Sequence, residues 1–287
     1  MIASPQDFRH LPELTPKART LPATFPALDH ATKAQPVGSV GEAMVIRMEP
    51  QSFRTALIRH AERRCRVGDR QLVASTIVAV GVLLAVVFSF VLVRFVTDWP
   101  HLRAATIPEQ DFAKRYVESP WIPYLHIGFG LAYLAGAPLQ LMRRVRIRSY
   151  VRHRILGRVL VGCGLLSGGL AFVFAVLSPW GGSLELTATF VFGTWFILCL
   201  VRAFRAIRTD NVREHRRWMI RAFAVGLGIG SLRIWVGIFT GILLLWPGVD
   251  DPPVPDPVAF GVSFWLGFLC HVVVGEWWLR RFVGPPD

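Results

Sequence analysis

The chain has 287 residues, of which 53% are hydrophobic and 18% charged, with 32 Lys and Arg against 19 Asp and Glu. An average globular protein carries about 25% charged residues, and here the charges lie in blocks between long apolar runs. This composition excludes a freely soluble cytosolic protein. The net charge of +13 does not indicate a nucleic-acid partner, because nucleic-acid-binding proteins carry their basic residues on one face of a soluble fold. A membrane protein is predicted instead.

The N-terminal region differs from the rest of the chain. Residues 1–50 contain seven prolines in weakly hydrophobic sequence and are expected to form a disordered cytoplasmic tail. In residues 51–70, apolar side chains recur at helical spacing with arginines between them. This pattern predicts a basic amphipathic helix on the inner leaflet, held by anionic lipid at the cytoplasmic face. A cytoplasmic linker helix is the alternative.

Six apolar runs follow, each long enough to cross the ~30 Å hydrocarbon core of a bilayer as a helix. Residues 71–281 are therefore predicted to form an all-α polytopic membrane helix bundle with six transmembrane helices. The predicted spans cover residues 72–96, 120–142, 155–180, 184–204, 218–246 and 258–279.

Charges between the spans predict the orientation of the bundle. Residues 143–154 contain six arginines and residues 202–217 six more, whereas residues 247–257 contain acidic residues and no Lys or Arg. Basic residues mark the cytoplasmic side of transmembrane helices. Both termini are therefore predicted to lie in the cytoplasm.

Ionisable residues inside a span cost about 2.5–3.5 kcal/mol each on insertion scales, so each needs a partner or a function. At helical rise, His126 and Arg233 lie at similar depths, ~9 and ~8 Å from the outer boundary. Glu185 begins the fourth span on the same side. We predict an outer cluster of these three residues, with Tyr124 and Trp235 nearby. It is either a buried ion pair that locks the helices together or a site for a small ligand.

A second set of polar residues lies at the inner boundary. His153 and Arg158 open the third span, and His215 and Arg221 open the fifth. Contact with lipid phosphates explains most arginines at this boundary, but Arg158 and Arg221 lie about one turn deeper than that explanation requires. Gln140, near the inner end of the second span, is expected to hydrogen-bond to one of them.

His271 stands alone in the sixth span, with Glu276 five residues further on. A hydrogen bond to a neighbouring helix is the preferred interpretation of His271. A role as a ligand or in proton transfer is the alternative.

Glycines concentrate in the second, third and fifth spans. Small residues let helix backbones approach closely where lipid removes the hydrophobic drive between helices. We expect these three spans to form the centre of the bundle.

Several short motifs follow one another between His126 and about Ile238. They are His126, residues 136–140 (GAPLQ), residues 153–158 (HRILGR), Trp195, residues 215–221 (HRRWMIR) and Arg233. This set resembles domain-of-unknown-function family 2306, a group of predicted bacterial membrane proteins. The resemblance implies a multi-pass protein of the bacterial inner membrane and supplies no activity.

The function classes left open are a small-ligand site, a structural role and two specific alternatives. One alternative is a redox protein that binds b-type haem through His153 and His215, which lie at matched depth as axial ligands require. His126 and His271 differ in depth by ~10 Å and fail that requirement. The other is a transporter or channel for a small anionic solute. No catalytic motif of a common hydrolase, kinase or metalloprotease is present, and the sequence does not decide whether the protein is an enzyme.

Overall fold

The computed structural model describes residues 50–142, 149–246 and 255–283, with side chains from residue 69 onward. The chain divides into two compact units, Met1–Leu57 and Ile58–Asp287. The first unit lies almost entirely outside the described residues, and every side-chain contact reported below belongs to the second. The described residues form no strand and seven helices, which are α1 (Pro50–Ala104), α2 (Asp111–Val117), α3 (Trp121–Leu141), α4 (Tyr150–Leu177), α5 (Gly182–Arg208), α6 (Val212–Leu245) and α7 (Pro257–Phe282).

Six helical segments are long and apolar enough to cross a membrane, namely residues 69–104 of α1 and the whole of α3, α4, α5, α6 and α7. The predicted all-α bundle with six spanning helices is therefore confirmed. Several helices extend beyond the apolar runs into the arginine-rich segments, because side-chain caps determine where they begin. Ser149 Oγ accepts a hydrogen bond from the Arg152 backbone N–H at 3.4 Å, and Asn211 Oδ1 accepts one from Glu214 at 3.0 Å.

Two predictions concern the N-terminal region. The predicted disordered tail lies outside the described residues, apart from Pro50. The predicted surface helix falls within the first part of α1, which runs without a break from Pro50 to Ala104. The side chains of residues 51–68 lie outside the described part of the chain, so its basic face stays a prediction.

Helix α5, the fourth span, lies at the centre of the bundle and packs against α4, α6 and α7. Ala188, Cys199 and Ala203 on α5 are fully buried. The expectation that the second, third and fifth spans form the centre was wrong for the second, since α3 packs mainly against α4. The number of glycines did not indicate the central position of α5, because alanine and cysteine, which are also small, provide its close contacts.

Helices α6 and α7 approach each other backbone to backbone. A Cβ atom added to Gly267 of α7 would lie 2.9 Å from the Leu232 backbone nitrogen and 3.0 Å from the Gly228 carbonyl oxygen, both on α6. No side chain separates the two helices at this level. Helix α1 differs, since it is lightly packed and exposes large apolar side chains such as Ile77 and Leu92.

The short helix α2 was not predicted from the sequence. Its residues Phe112, Ala113, Arg115 and Tyr116 are buried, and the Phe112 ring packs edge-on against Trp180 and Phe260. Lys114 lies on the exposed side, where its hydrogen bond to Asp111 raises the pKa of its amine. Seven residues are too few to cross a membrane, so α2 packs onto the bundle at the side where α3 begins.

The contact between α6 and α7 can be tested by adding one methyl group. We expect Gly267→Ala to lower the free energy of unfolding by about 1–3 kcal/mol, because backbone atoms cannot yield to the new Cβ atom. Gly237→Ala on α6 is the matched control, since nothing lies within 4 Å of its added Cβ atom. Thermal unfolding in detergent micelles measures both. Equal stability of the two variants would contradict the packing described.

Candidate ligand-binding site

A cavity of about 210 Å³ lies between the helices of the bundle, and its lining residues come from all six spanning helices and from α2. Along α5 the lining extends from Glu185 to Phe196, or ~16 Å at helical rise. Arg115, Glu185 and Arg233 lie at one end of the cavity, which is termed the outer end after the predicted orientation. Most of the cavity wall is apolar and aromatic. An apolar cavity of about 150 Å³ holds a benzene molecule, so this cavity has room for a somewhat larger organic molecule.

Arg115 and Glu185 form a buried ion pair at the outer end of the cavity. Arg115 Nη2 donates to Glu185 Oε1 at 2.8 Å, and both side chains are about 5% exposed. Glu185 Oε2 also accepts hydrogen bonds from the backbone N–H groups of Trp180 and Gly181, each at 2.7 Å. The carboxylate is therefore fully engaged, and the pair fastens α2 to α5.

Aromatic rings enclose the guanidinium of Arg115, which lies 4.6 Å from the Phe174 ring centroid. The rings of Phe112, Tyr116 and Phe260 lie within 6 Å. The Nε and Nη1 atoms of Arg115 have no hydrogen-bond partner, and contact with the ring faces accounts for their burial. Sequence reasoning missed Arg115 because it lies outside every apolar run. The spacing of Phe112 and Tyr116 was the available signal for a helix that buries this face.

Arg233 lies in the cavity wall without an ion-pair partner among the described residues. Its guanidinium carbon lies 3.7 Å from the centroid of the Phe90 ring. The Tyr116 side chain is close enough to interact with it, while Nε is buried and has no hydrogen-bond partner. Because Glu185 is bound to Arg115, the predicted pairing of Arg233 with Glu185 was wrong. Arg233 keeps part of its surface accessible, as a side chain that faces a cavity does.

His126 lines the same cavity and joins α3 to α4. Its Nδ1 atom donates to the Ser167 carbonyl oxygen at 2.9 Å, and Ser167 Oγ donates to the His126 carbonyl oxygen at 3.0 Å. Gly130 makes room for this contact, since a Cβ atom there would lie 3.0 Å from Ser167 Oγ. The structure thus places His126, Glu185 and Arg233 around one cavity.

Neither of the two aromatic residues expected near this cluster lines the cavity. Tyr124 donates from its hydroxyl to Asp98 Oδ2 at 2.8 Å, and Trp235 stacks on Phe239. Asp98 is fully buried and also accepts two hydrogen bonds from Arg94. This second ion pair lies within α1, and the hydrogen bond from Tyr124 joins it to α3. Neither Arg94 nor Asp98 lines the cavity.

Near the start of α6, away from the cavity lining, Arg221 forms an ion pair with Glu276 of α7, with Nη2 and Oε2 3.0 Å apart. The guanidinium also lies 4.6 Å from the centroid of the Trp218 ring. One turn or more from this pair, Ser231 Oγ and His271 Nε2 are 2.8 Å apart. His271 therefore makes the hydrogen bond to a neighbouring helix that the sequence predicts, and Glu276 binds Arg221.

The remaining predicted residues lie apart from the cavity lining. His215 Nδ1 donates to the Ala203 carbonyl oxygen at 2.9 Å, and His153 stacks beside Tyr150. Arg158 is exposed. Gln140 has no side-chain hydrogen bond among the described residues, so its expected bond to Arg158 or Arg221 was wrong. Its amide packs near Gly157 of α4 instead.

Double-mutant cycles distinguish the observed pairing from the predicted one. We expect Glu185→Gln to lower the free energy of unfolding by about 3–5 kcal/mol, because it leaves Arg115 buried without a counter-charge. The interaction energy of Arg115→Met with Glu185→Gln should exceed about 1 kcal/mol. The same cycle with Arg233→Met should give a clearly smaller value, because Glu185 acts on Arg233 through space and without an ion-pair contact. Thermal unfolding supplies all four free energies, and coupling of Glu185 to Arg233 rather than Arg115 contradicts the described contacts.

Comparison with known proteins bears on the part of the chain that carries this cavity. No curated protein and no solved structure matches the chain. A family model described as a predicted membrane protein (DUF2306) matches residues 123–279, more than half of the chain, from the start of α3 to near the end of α7. The match includes His126, Glu185 and Arg233, while α2 and Arg115 precede it. The chain therefore belongs to the DUF2306 family of predicted membrane proteins.

Proposed function

We propose that this multi-pass membrane protein binds a small organic anion with an apolar body in the cavity between its helices. One observation carries the proposal. Arg233 is a cation in the cavity wall, and no carboxylate pairs with it among the described residues.

The charge of Arg233 is the reason to expect an anion. A cation left unpaired inside a bundle costs several kcal/mol relative to water, and attraction to an opposite charge is strong where water is excluded. The nearby Glu185 does not supply that charge, because its oxygens bind Arg115 and two backbone N–H groups. An anion bound beside Arg233 supplies it.

The cavity wall is the reason to expect an apolar body. Phenylalanine side chains from four helices line the cavity, including Phe174, Phe192 and Phe264. Burial of apolar ligand surface contributes about 25 cal/mol per Å². A volume of about 210 Å³ suits an aromatic ring with a short acidic side chain.

A purely structural role accounts for the other charged pairs. Two ion pairs each connect two helices, namely Arg115 with Glu185 and Arg221 with Glu276. A third, Arg94 with Asp98, joins successive turns of α1. Arg233 makes no such connection. Haem bound by His153 and His215, and transport of an anionic solute, stay separate predictions, since neither follows from Arg233.

The proposed setting is the inner membrane, with both termini in the cytoplasm and anionic lipid at that face. Exposed arginines support this setting, because they gather where α4 and α6 begin and α5 ends. They include Arg152, Arg158, Arg202, Arg208 and Arg216. Side chains of this kind reach lipid phosphates at a membrane surface.

Replacement of Arg233 tests the proposed site. We expect phenylacetate to stabilise the wild-type protein against thermal unfolding, and Arg233→Met to weaken its binding about 10- to 100-fold, because a charge-assisted contact is lost. Arg158→Met is the matched control, since Arg158 is exposed and does not line the cavity. Calorimetric titration in detergent measures the affinities.

The stability of the variant without ligand separates this proposal from a locking role. Arg233→Met should unfold at the same temperature as the wild type or higher, because it removes an unpaired buried charge. A loss of stability as large as that of Glu185→Gln, or unchanged phenylacetate binding, contradicts the proposal.

A further inference from the structure

We infer that the preferred anion carries a hydrogen-bond donor next to its charge, as an apolar 2-hydroxycarboxylate does, and that His126 selects for this donor. The inference rests on the proposed function and adds the chemical class of the ligand. It follows from the way in which Ser167 orients the imidazole and from the position of His126 and Arg233 around one cavity.

The hydrogen bond to Ser167 determines which imidazole nitrogen carries a proton. Nδ1 lies 2.9 Å from the Ser167 carbonyl oxygen. A carbonyl oxygen has no proton to give, so Nδ1 must be the donor. The return bond from Ser167 Oγ to the His126 carbonyl oxygen, at 3.0 Å, holds the two helices at this spacing.

The remaining nitrogen, Nε2, is then an acceptor as long as the imidazole is neutral. Arg115, Tyr116, Tyr133, Glu185 and Arg233 are the other titratable residues that line the cavity. Their one carboxylate is bound to Arg115, and Arg233 is close enough for its charge to act on His126. A second cation there would have no counter-charge in an apolar wall. We therefore assign the neutral imidazole.

Arg233 and His126 thus offer the ligand two unlike groups. The guanidinium of Arg233 donates N–H groups and has no acceptor, whereas Nε2 of His126 accepts and has no proton. A simple carboxylate satisfies Arg233 but brings only acceptor oxygens towards Nε2. A hydroxyl on the adjacent carbon donates to Nε2 while the carboxylate binds Arg233.

Binding sites that hydrogen-bond a hydroxyl discriminate against analogues that lack it, because the partner group is left unsatisfied. Mandelate and phenylacetate form a matched pair of probes, since they share a phenyl ring and a carboxylate and differ by one hydroxyl. Mandelate should bind the wild-type protein at least about 10-fold more tightly.

The variant His126→Asn isolates the role of Nε2. The amide nitrogen of Asn occupies the position of Nδ1 along the side chain and keeps the donor to the Ser167 carbonyl oxygen. It leaves nothing in the position of Nε2. We expect this variant to bind mandelate and phenylacetate with equal affinity and to unfold close to the wild-type temperature.

Calorimetric titrations in two buffers with different ionisation enthalpies also report any proton taken up on binding. The inference requires that mandelate binds without proton uptake. Equal affinity for the two probes, or uptake of one proton by His126, overturns it and leaves the proposed anion site standing. If neither probe binds the wild-type protein, the proposed function fails together with the inference.

Discussion

The ion pair between Arg115 and Glu185 determines the arrangement of charge at the outer end of the bundle. It anchors α2, a helix too short to be stable alone, to the first turn of α5. Three donors then occupy the Glu185 carboxylate. Arg233 is consequently the charged residue of this region that has no ion-pair partner among the described residues. The proposal of an anion site depends on this difference between Arg115 and Arg233.

Close packing explains why a cavity exists beside this pair. The contacts between α6 and α7 at Gly267, and between α3 and α4 at Gly136, bring helices together by means of small residues. Larger side chains, chiefly phenylalanines, meet in the outer half of the bundle. Seven of the residues that line the cavity are phenylalanines. The void is therefore bounded by stiff aromatic walls.

Hydropathy was sufficient to predict the six spanning helices, because a bilayer requires about 20 apolar residues for each one. Depth along the helices predicted that His126 and Arg233 lie close together, since helical rise is constant, and both residues line the cavity. The partner of Glu185 could not be predicted in this way. Arg115 lies on the short helix α2 between two spans, and seven residues are too few to give a periodic pattern that can be detected.

The partner of Arg221 could not be predicted from the sequence either. The charge of Arg221 indicated that it needs a partner, but helix rotation, which the sequence does not specify, decides between Gln140 and Glu276. Glu276 faces Arg221 across the contact of α6 with α7. Gln140 lies on α3, which meets α6 only slightly. The sequence therefore indicated which residues need a partner but not which partner each one has.

The backbone contact between α6 and α7 has a mechanical consequence. With no layer of flexible side chains between Gly267 and Leu232, the two helices cannot slide along each other without separating. Helix α6 carries Arg233 near one face of the bundle and Arg221 twelve residues earlier, ~18 Å away at helical rise. The backbone contact at Gly267 and the ion pair of Arg221 with Glu276 therefore join α6 to α7 at two levels along their length.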